Sequence, residues 1–241
     1  MRAFFYFRTM QLFYCPEVLD ESHYLNSEES RHCIKVLRKI EGDLISLIDG
    51  FGGFYEVRIT IASQNKVHFE IVNTWKEEIR DYKLHIAIAP TKNNDRLEWF
   101  LEKATEIGID EITPIICHHS ERKVIKEERL NKIILSATKQ SLKSKIPILN
   151  SAISLKEFLS KTQSADCFIA HCEEEKKQNL QSIVSNNSII LIGPEGDFST
   201  TEIEVALACN FTPIGLGNSR LRTETAGIVA CHTIALHHEK I

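Results

Sequence analysis

Two periodicities divide this chain. Before about residue 80, apolar and polar positions alternate. Tyr55, Val57, Ile59 and Ile61 are interleaved with Glu56, Arg58 and Thr60, and Val67, Phe69 and Ile71 with His68 and Glu70. A period of two marks half-buried strands. The cluster Asp49-Gly50-Phe51-Gly52-Gly53 interrupts the apolar segments as a turn. A helix is predicted over Ser27–Lys39, with Ile34, Leu37 and Ile40 facing inward. Trp75–Tyr82 is charged and aperiodic, which places a boundary near residue 80. The expected division is a small β-rich domain over 10–78 and a larger domain over 82–241.

From Lys83 the pattern changes to short apolar runs separated by helical stripes. Strands are predicted at Leu84–Ala89, Glu111–Ile116, Cys167–His171, Ser188–Ile192 and Thr212–Leu216. Leu97, Phe100, Leu101, Ala104 and Ile107 form one helical stripe, with Asn94 or Asp95 as cap and Gly108 closing it. Leu130, Ile133, Ile134 and Ala137 form a second stripe. Ile203, Ala206 and Leu207 form a third, behind the capping-box spacing Ser199–Glu202. Thr223–Glu239 carries Ala226, Val229, Ala230, Thr233, Ile234 and His237 at helical spacing. This β/α succession implies an α/β fold with a mostly parallel sheet and helices on both faces.

Composition narrows the class without naming a function. The chain has 241 residues, 43% hydrophobic and 26% charged, with a formal net charge of −4. These values are ordinary for a globular protein of one or two domains. No apolar run approaches a membrane span, and no secretory signal is expected. Residues 1–9 read as an extension ahead of a start at Met10. The seven cysteines form no C-x-x-C pair. Neither a disulfide framework nor a zinc site is expected, which points to reducing cytosol. His118-His119 and His237-His238 are adjacent pairs whose side chains diverge, so no metal is expected.

Charge is nevertheless uneven. Ser120–Lys145 holds eight Lys/Arg against three Glu. Arg31, Lys35, Arg38 and Lys39 would cluster on one face of the first predicted helix. Each group is either a solvated helix face or a phosphate-binding surface.

The candidate chemistry sits in two loops. Gly193-Pro194-Glu195-Gly196-Asp197 follows the Ser188–Ile192 run and cannot continue it, since Pro194 lacks a ladder donor. The loop after Thr212–Leu216 holds Arg220, Arg222 and Glu224 within five residues. Both leave the carboxyl ends of strands, where open parallel sheets bind ligands. No G-x-x-x-x-G-K-[ST] is present, no G-x-G-x-x-G follows the first strand of the larger domain, and no G-x-S-x-G occurs. A P-loop, a Rossmann-type dinucleotide turn and acyl transfer therefore lack support.

Leu191-Ile192-Gly193-Pro194-Glu195-Gly196-Asp197-Phe198-Ser199-x-x-Glu202, then Asn210-Phe211-Thr212-Pro213, then Leu216-Gly217-x-x-x-Leu221-Arg222-Thr223-Glu224-Thr225-Ala226 resembles the 16S ribosomal RNA uracil-N3 methyltransferase family. That family is a branch of the SPOUT superfamily. The likeness continues in Lys103–Ile109, in Ile112–Ile115 and Ser120–Lys123, and in His32–Arg38 with the Asp49–Gly53 turn. It covers roughly residues 10 to 236. The resemblance implies a SPOUT-type C-terminal domain with a trefoil knot, preceded by a PUA-like RNA-binding domain. It further implies S-adenosyl-L-methionine as cofactor, small-subunit ribosomal RNA or the assembled subunit as substrate, a homodimer, and a cytoplasmic location.

By the same resemblance, the cofactor lies between three loops. Those are the segment after Cys167–His171, the Gly193–Gly196 turn and the Leu216–Thr225 loop, with His171, Ile192, Gly193, Pro194, Gly196, Leu216, Gly217, Leu221, Thr223 and Thr225 as binding residues. Arg31, Lys35, Arg38, Arg122 and Lys123 are the RNA-binding candidates. Uracil N3 is a poor nucleophile until its proton leaves. Arg222, or Arg220, would stabilise the charge that develops on the base. Glu195 or Glu224 would accept the proton or orient an arginine. Alternatively, Arg222 and Glu224 form a structural pair that pins the loop. Two departures stand out. Lys139-Gln140 occupies a position where the family has Glu-Gln, and Asp197 stands at the family's third glycine, where it either caps the next helix or disfavours an anionic ligand. The other readings are a non-catalytic RNA-binding protein of the same fold, or a methyltransferase for another RNA position.

Overall fold

The alternating segment around Tyr55 forms the middle of a four-stranded sheet. In the computed structural model, which describes residues 11–20, 23–78, 80–162, 166–173 and 177–239, the chain divides into two compact units. The first comprises Met1–Ile79 with Leu135–Ile146, and the second Arg80–Ile134 with Pro147–Ile241. The expected extension at 1–9 and the start at Met10 lie outside the described residues.

The first unit is ordered β1 (Leu12–Tyr14), β2 (Leu44–Ile48), β3 (Gly53–Ile61) and β4 (His68–Lys76), with β1 parallel to β2 and the rest antiparallel. The period of two sends Tyr55, Val57 and Ile59 into a core with Phe13, Leu25, Leu47, Val67 and Phe69. Phe54 joins Leu12 and Ile48 in a second cluster, with Tyr14 and Leu142 against it.

The predicted helix over Ser27–Lys39 is shorter and wider than expected. α1 covers Ser27–Arg31, capped by the Asn26 side chain, and a π-helical turn takes over at His32–Val36. The Leu37 amide bonds the His32 carbonyl, an i→i−5 link, which rotates the buried face. Cys33 is therefore fully buried, whereas Ile40 is 65% exposed rather than inward. Arg38 has a positive φ of 54°. The α-helical spacing that would align it with Arg31 and Lys35 has ended by then.

The second unit is an eight-stranded sheet. Its strands are β5 (Lys83–Ile88), β6 (Glu111–Ile116), β7 (Ile148–Leu149), β8 (Ile153–Ser154), β9 (Asp166–Ala170), β10 (Gln178–Asn179), β11 (Asn187–Ile192) and β12 (Thr212–Gly215). The order is β10-β12-β9-β11-β5-β6-β7, with β8 also on β6, and all these pairs are parallel. The apolar runs are buried on both faces, as such a sheet requires. Ala87, Ile115, Ile169 and Leu191 pack with Leu155, Phe158 and Leu159 of α4 (Leu155–Lys161) and with Ile203 and Ala206 of α5 (Thr200–Ala208). On the other face α2 (Asn94–Ile107) packs against α6 (Thr223–His238). Gly227 of α6 is required there, since a Cβ would lie 2.6 Å from the Phe100 ring and 3.1 Å from Ile88. α3 (Glu127–Gln140) carries the second predicted stripe.

Neighbouring strands β5 and β11 thus send their chains to helices on opposite faces, α2 and α5. Their carboxyl ends open a crevice between diverging loops, which is the switch point of an open α/β sheet.

Candidate active site

Five loops meet at the carboxyl ends of β5, β6, β9, β11 and β12, and side-chain-to-backbone hydrogen bonds tie them together. Asp197 is the central knot of this arrangement. It sits at φ 63°. Its Oδ2 accepts from the Cys172 amide at 2.7 Å, and its Oδ1 from the Phe198 amide at 2.8 Å. Its carbonyl lies 3.0 Å from His119 Nδ1. One residue therefore binds the loops after β9, β11 and β6. It is not the helix cap, because Ser199 and Glu202 form the reciprocal capping box of α5. Glu202 also accepts from the His118 amide at 2.7 Å.

The remaining ties are similar. Glu195 Oε1 accepts from the Lys92 amide at 3.0 Å, joining the β11 loop to the β5 loop. Thr223 is buried and donates its hydroxyl to the Gly193 carbonyl at 3.0 Å, joining the start of α6 to the glycine turn. Arg122 donates to the carbonyls of Thr91 and Lys92, the shortest contact being 2.7 Å. That geometry makes Arg122 a brace for the β5 loop, while Lys123 is exposed. The N-cap of α2 is Asn93, one residue before the expected Asn94 or Asp95.

These loops enclose a cavity of about 420 Å³ bounded by Ile192, Gly193, Pro194, Glu195, Gly196, Asp197, Arg220, Leu221, Arg222 and Thr223, with Ala170, Cys172, Arg96 and Ala226. A second cavity of about 610 Å³ shares Arg96, Arg220, Leu221 and Arg222 with it, and adds Asp95, Trp99, Glu224 and Thr225. Leu216 and Gly217 line a third cavity of about 390 Å³, with His232 and Thr233. The cofactor candidates are therefore not all gathered in one place. His171 is buried, and its carbonyl accepts from Lys177 Nζ at 2.6 Å.

Arg220 and Arg222 are exposed and make no hydrogen bond or ion pair among the described residues. Glu224 is buried, and its ionic partner is Arg96, at 3.8 Å, not Arg222. The alternative of an Arg222–Glu224 structural pair is thus not what the chain forms. Its Oε2 has no hydrogen-bond partner among the described residues. Arg96 and Trp99 escaped the sequence reading because they belong to a helical stripe whose apolar members account for its pattern. Beside Asp197, burial first and then the carboxylate push the Cys172 thiol above its ordinary pKa.

In the first unit, Lys139 forms an ion pair with the buried Glu29 at 2.6 Å. The lysine that departs from the resembled pattern therefore neutralises a buried carboxylate within this unit. Arg31, Lys35 and Arg38 are all exposed.

A family model for the RNA methyltransferase domain matches residues 78–235, and one for the RNA methyltransferase PUA domain matches residues 25–72. The chain belongs to the RNA methyltransferase family. Members of known name include ribosomal RNA small subunit methyltransferase E of Rickettsia conorii, 32% identical over 225 residues, covering 90% of this chain and 92% of the relative. The protein of the same name from Bacillus subtilis is 29% identical over 231 residues, covering 89% and 90%. Among solved structures, a probable rRNA-methyltransferase from Porphyromonas gingivalis superposes with a TM-score of 0.89 at 40% identity, covering 95% of this chain and 98% of its own. A ribosomal RNA small subunit methyltransferase E from Neisseria gonorrhoeae bound to S-adenosyl methionine gives 0.81 at 28% identity, covering 92% and 95%.

Proposed function

We propose that this RNA methyltransferase uses S-adenosyl-L-methionine to methylate N3 of one uridine in 16S ribosomal RNA. The observation that carries the reading is the loop-enclosed cavity at the sheet's switch point, with two uncommitted arginines on its rim. Its volume, about 420 Å³, lies within the range of about 300–1,000 Å³ of small-molecule sites. Its walls combine apolar Ile192, Pro194 and Leu221 with the exposed backbone of Gly196, a lining suited to an adenosyl group. Gly193, Pro194, Gly196, Ile192, Leu221 and Thr223 would hold the cofactor, which when bound supplies an electrophilic methyl group.

The chain's own residues must fix the acceptor base and manage one proton. Arg222, with Arg220, stabilises negative charge on the uracil oxygens as N3–H is lost. Glu224 is the better proton acceptor of the two candidates, because its Oε2 has no partner among the described residues while Glu195 is engaged by the Lys92 amide. Arg96 orients Glu224. Arg31, Lys35, Arg38 and Lys123 contribute positive charge toward the RNA, with residues 10–78 as the RNA-binding part and 82–241 as the part that carries the chemistry. The reading extends to a trefoil knot through the β9, β11 and β12 loops, to a homodimer, and to the cytoplasm, where ribosomal subunits are assembled.

Calorimetric titration with S-adenosyl-L-methionine tests the first step, and binding is expected. No heat at millimolar cofactor would leave only a non-catalytic RNA-binding protein. Mass mapping of 16S ribosomal RNA from a deletion strain then tests the position. Loss of one 3-methyluridine is expected, and loss of a different modification would refute the N3 assignment. Light scattering that shows only a 27.5 kDa species would refute the dimer.

A further inference from the structure

The turn Asp49–Gly53 has an unusual property for a connector: it is rigid, and it holds a phenylalanine out to solvent. Phe51 is 82% exposed. Gly50 and Gly52 adopt φ 89° and 108°, which only glycine reaches without strain. Asp49 Oδ1 accepts from the amides of Phe51 at 2.7 Å and Gly53 at 2.9 Å, and its Oδ2 from the Tyr55 hydroxyl at 3.0 Å. Two other segments of the same unit clamp the turn. The Glu77 amide donates to the Gly52 carbonyl at 2.8 Å, and the Ile146 amide to the Gly50 carbonyl at 3.0 Å. Glu77 Oε2 accepts in turn from the Ser144 amide and hydroxyl, each at 2.7 Å, and from the Lys145 amide at 3.1 Å.

The clamp sets positive charge beside exposed rings. Gly50 and Phe51 each form a backbone bridge with Lys145, which is exposed. Across the hairpin, Trp75 pairs with Phe54 and Lys76 with Gly53. Trp75 stacks on Phe54 with centroids 5.6 Å apart and planes 11° apart, yet remains 40% exposed. Asp49 and Glu77, the nearest carboxylates in these segments, are occupied by the donors named above. Glu78 is the one exposed acidic residue at this strand end, against Lys76, Lys143 and Lys145.

We propose that this end of the first unit binds single-stranded RNA, with bases stacking on Phe51 and Trp75 and phosphates meeting Lys76 and Lys145. The inference rests on the reading of RNA as substrate and moves the contact from the Arg31–Arg38 segment to the hairpin tip. Isolated aromatic rings flanked by lysines match a stacking platform with a backbone track. Because the turn is already immobile, little ordering is needed when a base stacks. Duplex RNA keeps its base faces covered and would not use Phe51.

The test uses the full chain with a short fluorescein-labelled oligouridylate, followed by anisotropy over a range of salt. Phe51→Ala is expected to weaken binding about tenfold, the size of one base–aromatic stack, whereas Phe51→Tyr retains it. Lys145→Ala is expected to reduce the log–log salt slope by about 0.7, one phosphate contact on a single strand. Phe51 is exposed, so its loss should leave the melting temperature and cofactor affinity at wild-type values. A wild-type chain that neither binds the cofactor nor methylates ribosomal RNA would defeat the functional reading. A chain that does both, while Phe51→Ala and Lys145→Ala match it in oligouridylate affinity and salt slope, overturns this inference alone. Equal competition by duplex RNA overturns it as well.

Discussion

Replacing Asp197 by glycine sets two opposing effects against each other. The substitution restores the residue type of the resembled pattern and removes a side chain from φ 63°. Left-handed backbone costs an ordinary L-residue about 1–2 kcal/mol, and aspartate is among the more tolerant. Glycine in turn has more conformational freedom to lose on folding, about 0.5–1 kcal/mol. These two terms nearly cancel. What remains is the lost carboxylate bond to the Cys172 amide at 2.7 Å. A hydrogen bond to a charged group contributes about 1.5–3 kcal/mol, and the exposure of Cys172 favours the lower figure. Asp197→Gly should therefore destabilise the loop cluster by about 1–2 kcal/mol and lower the thermal midpoint by about 2–8 °C. Cofactor affinity should fall as well, because the β9 and β11 loops would no longer be joined. Asp197→Asn keeps an Oδ1 acceptor and the left-handed tolerance, and should fall between the two. Differential scanning fluorimetry and calorimetric titration on the three proteins check this. An unchanged or raised midpoint in Asp197→Gly would show that strain relief outweighs the cross-loop bond and refute the reasoning.

Arg222→Ala should lower single-turnover methylation by about 10²–10³ with cofactor affinity nearly unchanged, and Arg222→Lys should recover only part of the loss. Since Glu224 pairs with Arg96, Glu224→Ala should not weaken cofactor binding through Arg222, and a loss of cofactor affinity in Arg222→Ala would assign Arg222 to the cofactor instead. Gly227→Ala places a methyl 2.6 Å from the Phe100 ring and should destabilise the protein by about 1–3 kcal/mol, measured by denaturant titration. His85 bonds Thr113 Oγ1 at 2.8 Å, and burial, opposed by Glu111, holds its pKa below the ordinary 6.5. The unfolded chain therefore binds the proton more readily, so stability is present above pH 6.5 and is lost as pH falls from there through the folded value. Melting midpoints across that window should drop for the wild type and flatten in His85→Gln.

Much of the architecture is written in local spacing. The period of two that defines β3, the apolar runs of β5, β6, β9, β11 and β12, and the stripes of α2, α3 and α6 all depend on neighbours a few residues apart. So does the Ser199–Glu202 capping box, which forms as its spacing predicts. Gly-Pro-Glu-Gly and the Arg220–Glu224 loop were legible as a ligand site because strand ends and turn chemistry are local features too.

Other decisions required the tertiary structure. The wide turn at His32–Val36 has no signature in α-helical spacing, so the burial of Cys33 in place of Ile40 could not be read. The two-residue strands β7, β8 and β10 carry too few positions to show a period. Leu135–Ile146 joins the first unit although its sequence lies deep within the second. The loop ties Asp197–Cys172, Glu195–Lys92, Arg122–Lys92 and Glu224–Arg96 connect residues 25 to 128 positions apart. Composition showed that carboxylates and arginines were available near the site. Which arginine is braced, which carboxylate holds a backbone amide and which groups stay uncommitted depends on where the parallel sheet brings its loop ends together, and no local pattern records that.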